Sequence, residues 1–282
     1  MINSPDNSPR YAVIGNPISH SLSPRIHQAF AQQVEIQLQY EAIDIAEDDF
    51  ENGLHDLIQQ GFKGLNVTAP FKQKAWQICD RRSPRAEDAG AVNTLILQNN
   101  EIAGDNTDGA GLTRDLVNNH NALIKRRKIL LLGAGGAVRG VLPALLALSP
   151  DRLTVANRTV EKAEQLAEDF HEIGDITPSA YDDLGRDKFD LIINGTSAGL
   201  SREVPPVPDE ILGINSICYD MTYNIKGNTA FVEWAQSRGA SRAFDGLGML
   251  VEQAAESFFI WHGKRVDTKE VIESIRQSAS VD

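Results

Sequence analysis

Cysteine is scarce in this chain. Its 282 residues hold two, Cys79 and Cys218, far apart in sequence. Their separation suits neither a metal site nor a disulfide framework, so both read as reduced thiols of a cytoplasmic protein. The six histidines form no H-x-x-x-H pattern, and no metal is expected. Positive charge is also in deficit, with 27 Lys and Arg against 39 Asp and Glu and a net charge of −12, which argues against nucleic acid as a partner. Long apolar runs are missing. The stretch Val141 to Leu148 is interrupted by Pro143 and falls well short of the ~20 residues a membrane helix needs. Met1 to Arg10 is polar, without the apolar core of a signal peptide, so no leader is expected. Repeats and low-complexity segments are absent too. What remains is a packed globular protein, 41% apolar, long enough for two domains or one large one.

The most informative stretch is Lys128-Ile-Leu-Leu-Leu-Gly-Ala-Gly-Gly-Ala-Val-Arg139. An apolar run meets Gly133, Gly135 and Gly136, and a helix-prone run follows: strand, tight turn, helix. Glycines let a backbone approach a ligand closely, and a helix N-terminus offers unpaired N–H groups to an anion such as a diphosphate. The spacing departs from G-x-G-x-x-G, with Ala137 or Val138 near the third position. From there the pattern alternates, with strands expected at Ile129–Leu132, Leu153–Ala156, Leu191–Ile193, Ile217–Tyr219 and Arg242–Phe244. Helices between strands imply a parallel sheet with right-handed crossovers. Asn228 is expected to cap a helix with Phe231, Trp234 and Ala235 on its apolar stripe.

The first part also mixes strands and helices. Tyr11–Ile14, Tyr40–Ile43 and Gly64–Val67 read as strands, and Thr94–Leu97 with Glu101–Ala103 as a hairpin across Asn99-Asn100. Ser23-Pro24 opens a helix, the serine as cap and the proline in the first turn. Another helix is expected from Gly109 to about Asn119, and two more at Leu247–Trp261 and Thr268–Ser278. These last two are expected to pack back on the first domain or to clasp the two lobes.

Several residues carry chemistry. After the second strand of the nucleotide unit, Asn157-Arg158-Thr159 stands where NAD-binding units carry an acid for the ribose 2′-OH. Arg158, with Lys162 one helical turn on, favours a 2′-phosphate and hence NADP; the alternative is a solvated pair. Lys72 follows the turn at Pro70, beside Thr68, and Asp108 lies in Gly104-Asp-Asn-Thr-Asp-Gly109. A lysine can hand a proton to an oxygen during carbonyl reduction, and a carboxylate can hold it in place; singly, each also reads as a surface charge or turn former. Ser21 and Ser23 at a helix start suit a carboxylate, or simple capping. Asn93 suits a hydroxyl, or a satisfied turn. Gln253 shares a stripe with Met249 and Ile260, opposite a face where Glu252 and Glu256 are expected exposed.

Together these motifs resemble the shikimate dehydrogenase family over most of the chain. The matching segments are Pro17–Pro24, Asn66–Lys72, Gly90–Thr94, Gly104–Gly109, Gly133–Ala137, Asn157–Thr159, Asn194–Leu200, Tyr219–Tyr223 and Asp245–Leu250 with Gln253. The resemblance implies Lys72 as proton donor and acceptor with Asp108 as its partner. It implies substrate contacts from Ser21, Ser23, Thr68, Asn93, Asp108, Tyr223 and Gln253. Gly133, Ala134, Gly135, Gly136 and Ala137 would bind the diphosphate, and Asn157, Arg158, Thr159 and Lys162 the 2′-phosphoadenosine. Thr196 would line the cofactor groove, with Met221 and Gly246 near the nicotinamide. Gln73-Lys74 departs from an acidic pair frequent after the lysine.

The expected fold is α/β in two domains. An α/β substrate domain (1–110 with 247–282) accompanies a doubly wound, Rossmann-type parallel sheet for NADP (111–246), and the active site is expected in the cleft between them. The expected activity is NADP-dependent interconversion of 3-dehydroshikimate and shikimate by a cytoplasmic monomer or homodimer. Its partners are small molecules, not nucleic acid or membrane. The rivals are a relative accepting quinate or NAD, a regulator that lost catalysis, and a reductase of another small metabolite.

Overall fold

The computed structural model describes residues 8–99, 101–185, 187–196 and 203–278. The chain forms two compact units, one holding residues up to Thr107 with Ala254–Val271, the other Asp108–Gln253 with the residues from Ile272 on. Each is built on a six-stranded sheet.

In the first unit, β1 (Arg10–Gly15), β2 (Gln39–Asp44) and β3 (Gly64–Val67) are parallel. The hairpin β5 (Thr94–Gln98) and β6 (Glu101–Asp105) adds antiparallel strands, and the two-residue β4 (Arg81–Arg82) closes the edge, giving the order β2-β1-β3-β5-β6-β4. Asn99, at φ 51°, turns the hairpin; Asn100 lies outside the described residues. Helices α1 (Ser23–Gln33), α2 (Phe50–Gln59), α3 (Lys72–Ile78) and α4 (Pro84–Ala89) connect the strands. Ser23 does not cap α1. The chain already turns at Leu22, in the right-handed helical region, so Ser23 is the first helical residue and is buried; its N–H donates to Ser21 Oγ at 3.3 Å. Ala12, Ile14, Leu65, Val67 and Leu95 form the core with Phe50, Leu54 and Phe71.

The second sheet is parallel throughout, in the order β12-β11-β10-β7-β8-β9: β7 (Lys128–Leu132), β8 (Arg152–Ala156), β9 (Thr177–Ser179), β10 (Phe189–Asn194), β11 (Leu212–Asp220) and β12 (Arg242–Phe244). This is the doubly wound order, in which the strand sequence reverses between the first and fourth strands, here β7 and β10. Side chains alternate between two cores, as the two-residue period of a strand requires. Ile129, Leu131, Leu191 and Ile193 meet α5 (Asp108–Arg114), α6 (Gly136–Ala147) and α7 (Val160–Asp169) on one face. Leu130, Leu132, Ile192 and Cys218 meet α8 (Ala230–Ser237) on the other.

The helix expected from Gly109 to Asn119 is two pieces, α5 and a π turn at Asp115–Asn119. The wider turn swings Asp115 inward, where its carboxylate accepts from Tyr219 Oη at 2.6 Å. Thr229, not Asn228, caps α8: its Oγ1 accepts from Val232 N at 3.3 Å, while the Asn228 amide turns to Gln236. Helices α9 (Leu247–His262) and α10 (Thr268–Ser278) end the chain. Glu252 and Glu256, expected exposed, are buried, the first with a hydrogen-bond donor and the second with two cations beside it. Asn119 donates to Glu252, and Arg85 and Arg265 pair with Glu256 at 3.1 and 2.6 Å. Met249 sits in the second unit's core, and farther along α9 Trp261 donates from Nε1 to Leu95 O at 3.1 Å. Among the described residues no helix is long and apolar enough to cross a membrane, and no His, Cys, Asp and Glu group is placed to hold a metal.

Candidate functional site

In the first unit, one end of the sheet gathers five of the expected residues. Gly15 ends β1, and a Cβ there would lie 2.4 Å from Thr68 Cγ2, so the loop carrying Ser21 starts against Thr68. Thr68 N donates to Ile14 O at 2.9 Å, and Asn16 N to Ala69 O at 3.2 Å, which ties the two strand exits together. Lys72 opens α3, half-buried, and its carbonyl accepts from Val92 N at 2.9 Å, one residue from Asn93. Val67 N donates to Asn93 O at 2.8 Å. Ser23 reaches this group through Tyr40, to which its hydroxyl is hydrogen-bonded. Ser21, Ser23, Thr68, Lys72 and Asn93 therefore share one strand-end loop cluster, where α/β folds place ligand chemistry.

The second unit carries the rest. Asp108 is the buried first residue of α5, where a carboxylate complements the helix dipole. One turn on, a Cβ at Gly111 would lie 2.7 Å from Gln253 Cβ, so α5 and α9 touch at Gln253. The Gln253 amide donates to Leu250 O at 2.8 Å. Lys72 and Asp108 belong to different units.

The ends of the parallel strands set the order of the residues expected to hold the nucleotide. At β8, Asn157 Nδ2 donates to Thr159 O at 2.8 Å, and Arg158 and Lys162 are exposed. The Arg158 charge draws down the Tyr181 phenol, although burial raises it more. At β7, Gly133 takes φ 104°, a conformation that favours glycine. Its N–H donates to Ala156 O at 2.8 Å, and a Cβ on it would press on Gly195 at 3.2 Å. Beyond Ala134, a Cβ built on Gly135 or Gly136 meets no described atom within 4 Å, so space is open over the start of α6, with Ala137 in its first turn. This open cradle of N–H groups fits a diphosphate. At β10, Asn194 Oδ1 accepts from Thr196 N and Oγ1 at 3.1 and 2.7 Å; Ser197–Leu200 of the same motif lie outside the described residues. At β11, Met221 N donates to Asn194 O at 2.8 Å. At β12, Gly246 N donates to Thr222 O at 2.8 Å, and a Cβ on Gly246 would strike Met221 O at 2.4 Å. Across the sheet the order is Arg158, Gly133, Thr196, Met221, Gly246: a basic end, an open glycine turn and a glycine-tight end. Tyr223 follows, half-buried, beside Asn224, whose N–H donates to Asp245 Oδ2 at 3.3 Å.

Buried Asp220 sits under this edge. Burial raises its carboxyl above the usual carboxylate range, and hydrogen bonds from Thr229, Thr222 and Asn194 oppose the rise. Sequence reasoning assigned no role to Asp220, Tyr40 or Ser257. Ser257 carried a usable signal, since it lies one helical turn after Gln253.

Comparison with known proteins matches three segments of the chain. Residues 13–95 match the family model for the shikimate dehydrogenase substrate binding domain, 115–201 that for shikimate / quinate 5-dehydrogenase, and 246–276 that for the shikimate 5′-dehydrogenase C-terminal domain. The shikimate dehydrogenase (NADP(+)) of Alkalilimnicola ehrlichii is 52% identical over 267 residues, 95% of this chain and 98% of its own. Among solved structures, an Ael1 enzyme from Pseudomonas putida is 45% identical with a TM-score of 0.88, covering 95% of this chain and 98% of its own. Shikimate 5-dehydrogenase from Thermus thermophilus, in complex with NADP(H) and shikimate, is 31% identical with a TM-score of 0.84, covering 96% and 99%.

Proposed function

The chain belongs to the shikimate dehydrogenase family, and from that premise we propose that it is an NADP-dependent oxidoreductase interconverting 3-dehydroshikimate and shikimate, a step of aromatic amino acid biosynthesis. The observation that carries this reading is the order along the second sheet, from exposed Arg158 through the open glycine cradle to Met221 and Gly246. In the solved relative from Thermus thermophilus, NADP(H) and shikimate are the bound pair.

Gly133 to Ala137 hold the diphosphate on backbone N–H groups, and Asn157, Arg158, Thr159 and Lys162 hold the 2′-phosphoadenosine. Thr196, Met221 and Gly246 flank the nicotinamide end. Bound NADPH supplies the hydride. Lys72 Nζ gives its proton to the oxygen of the ketone and takes it back in the reverse direction, with Asp108 as its assigned carboxylate partner. Ser21 and Ser23 receive the carboxylate. Thr68, Asn93, Tyr223 and Gln253 fix the hydroxyl-bearing ring, so that the protein contributes orientation and charge. The working division is a substrate half, 1–110 with 247–282, and a nucleotide half, 111–246. The setting is the cytoplasm, and the acting form is a monomer or homodimer, which light scattering distinguishes.

The test is nicotinamide absorbance with shikimate or quinate, each with NADP or NAD. Turnover of shikimate with NADP far above the other three pairs is the expected result. Preference for quinate or for NAD would move the chain to the broader branch, and no turnover with any pair would defeat the reading.

A further inference from the structure

Asn93 stands at the centre of a set of buried hydrogen bonds that no catalytic role accounts for. Tyr40 Oη donates to Asn66 Oδ1 at 2.7 Å. Asn66 Nδ2 lies 3.2 Å from Asn93 O, 3.2 Å from Thr94 Oγ1 and 2.9 Å from Ser257 Oγ. Ser257 Oγ is also 2.8 Å from Thr94 Oγ1 and 3.3 Å from Thr107 Oγ1. Thr94 Oγ1 donates to Asn93 Oδ1 at 2.9 Å, Thr107 N donates to the same oxygen at 2.8 Å, and Asn93 Nδ2 donates to Thr107 Oγ1 at 2.9 Å. Asn66, Asn93, Thr94, Thr107 and Ser257 are all buried.

The proton directions follow from fixed groups. A backbone carbonyl only accepts, so the Asn66 atom facing Asn93 O is nitrogen and its oxygen faces Tyr40. A backbone N–H only donates, so the Asn93 atom facing Thr107 N is oxygen. Burial keeps the Tyr40 phenol far above its usual range, so it stays a donor. Asn93 Oδ1 is thereby taken up by protein donors, and a ligand contact from this amide is a donation from Nδ2. The group it suits is an acceptor such as a hydroxyl oxygen.

We propose that Tyr40 and Ser257 are positioning residues for the substrate: acting through Asn66, Thr94 and Thr107, they lock the Asn93 amide with its Nδ2 edge toward the ligand. Ser257 brings α9 into this role, from 163 residues beyond Thr94 in sequence. The inference rests on the reading of Asn93 as a substrate contact. Loss of one neutral hydrogen bond corresponds to a change of about 3- to 10-fold.

Ser257→Ala and Tyr40→Phe, each alone and combined with Asn93→Ala, test it. Ser257→Ala should raise the shikimate KM about 3- to 10-fold while the NADP KM and kcat stay within about twofold. In the Asn93→Ala background the same change should add less than about twofold, because its effect runs through Asn93. Equal penalties in both backgrounds, or an equal rise in the NADP KM, would overturn the proposal. Tyr40→Phe keeps the packing and serves where Ser257→Ala lowers the folded yield. If the wild type does not turn over shikimate with NADP, the functional reading fails by itself. The side-chain amide signal of 15N-labelled Asn93 then decides: a shift in Ser257→Ala supports the lock, and an unmoved signal overturns it.

Discussion

His27 lies flat on Tyr40, with ring centroids 4.1 Å apart and planes 8° from parallel. The imidazole is fully buried, and burial, with the His262 charge adding to it, pushes its pKa down from 6.5 to about 3. The folded state therefore holds His27 neutral where the unfolded chain would protonate it. A lowered folded pKa gives stability that is whole above the unfolded value and is lost as pH falls toward the folded one. The slope is about 1.4 kcal/mol per pH unit between roughly pH 6 and pH 3. His27→Phe should flatten the fall of the denaturant midpoint across that window. An unchanged acid slope in the variant would place the proton uptake elsewhere.

The second stability prediction concerns the end of the chain. Arg276 pairs with buried Asp245, and its Nη1 donates to Asn224 O at 3.3 Å. Asp245 in turn accepts from Leu247 N and Asn224 N at 3.2 and 3.3 Å, so one carboxylate ties the loop after β11 to the start of α9. Arg276→Ala leaves that carboxylate without its cation and should cost about 1–3 kcal/mol, a fall of several degrees in Tm. Arg276→Lys should recover part of it. A Tm unchanged in Arg276→Ala would mean that solvent replaces the pair without loss.

For the chemical step, Lys72→Ala should lower kcat by about 100-fold or more, the range of a lost acid–base group. Shikimate affinity should fall much less. Near-normal turnover in the variant would remove Lys72 from the proton path.

Ser21→Ala should act differently, raising the shikimate KM more than it lowers kcat, because the carboxylate is remote from the reacting carbon. A loss confined to kcat would move Ser21 away from carboxylate binding.

How far the residues disclosed this structure depends on the length scale of each signal. Ile129–Leu132 was legible because an apolar strand runs straight into glycines, and the same holds for the helices after Leu247 and Thr268, whose apolar residues recur over several turns. The strands Arg81–Arg82 and Thr177–Ser179 escaped, since two or three residues cannot show a period. Glu252 and Glu256 misled for another reason: a charge reads as exposed until its partner is known, and Asn119, Arg85 and Arg265 become partners only in the folded chain. Ser23 and Asn228 were assigned caps by residue type, yet one-residue shifts at Leu22 and Thr229 decide the helix starts. In the site, the glycine turn announces itself locally. The lock on Asn93 does not, because Tyr40, Asn66 and Ser257 meet only once the strands and α9 are packed.

Cofactor choice is the sharpest test at the other sheet. Arg158 occupies the strand end where an acid would accept from a bare ribose, and Lys162 lies one turn along α7, both exposed. A charge-assisted hydrogen bond to a 2′-phosphate is worth about 1.5–3 kcal/mol. Two such contacts, less desolvation, give roughly a hundredfold preference. Arg158→Ala should weaken NADP and leave NAD nearly unchanged. Combining it with Asn157→Asp should go further, since the carboxylate repels the phosphate and accepts from the ribose hydroxyl. The measurement is kcat/KM for both cofactors at one moderate salt concentration, because salt screens exposed charges. Equal losses for the two cofactors in Arg158→Ala would make the side chain structural, and the preference would then have to come from Lys162 or from backbone N–H groups at the start of α7.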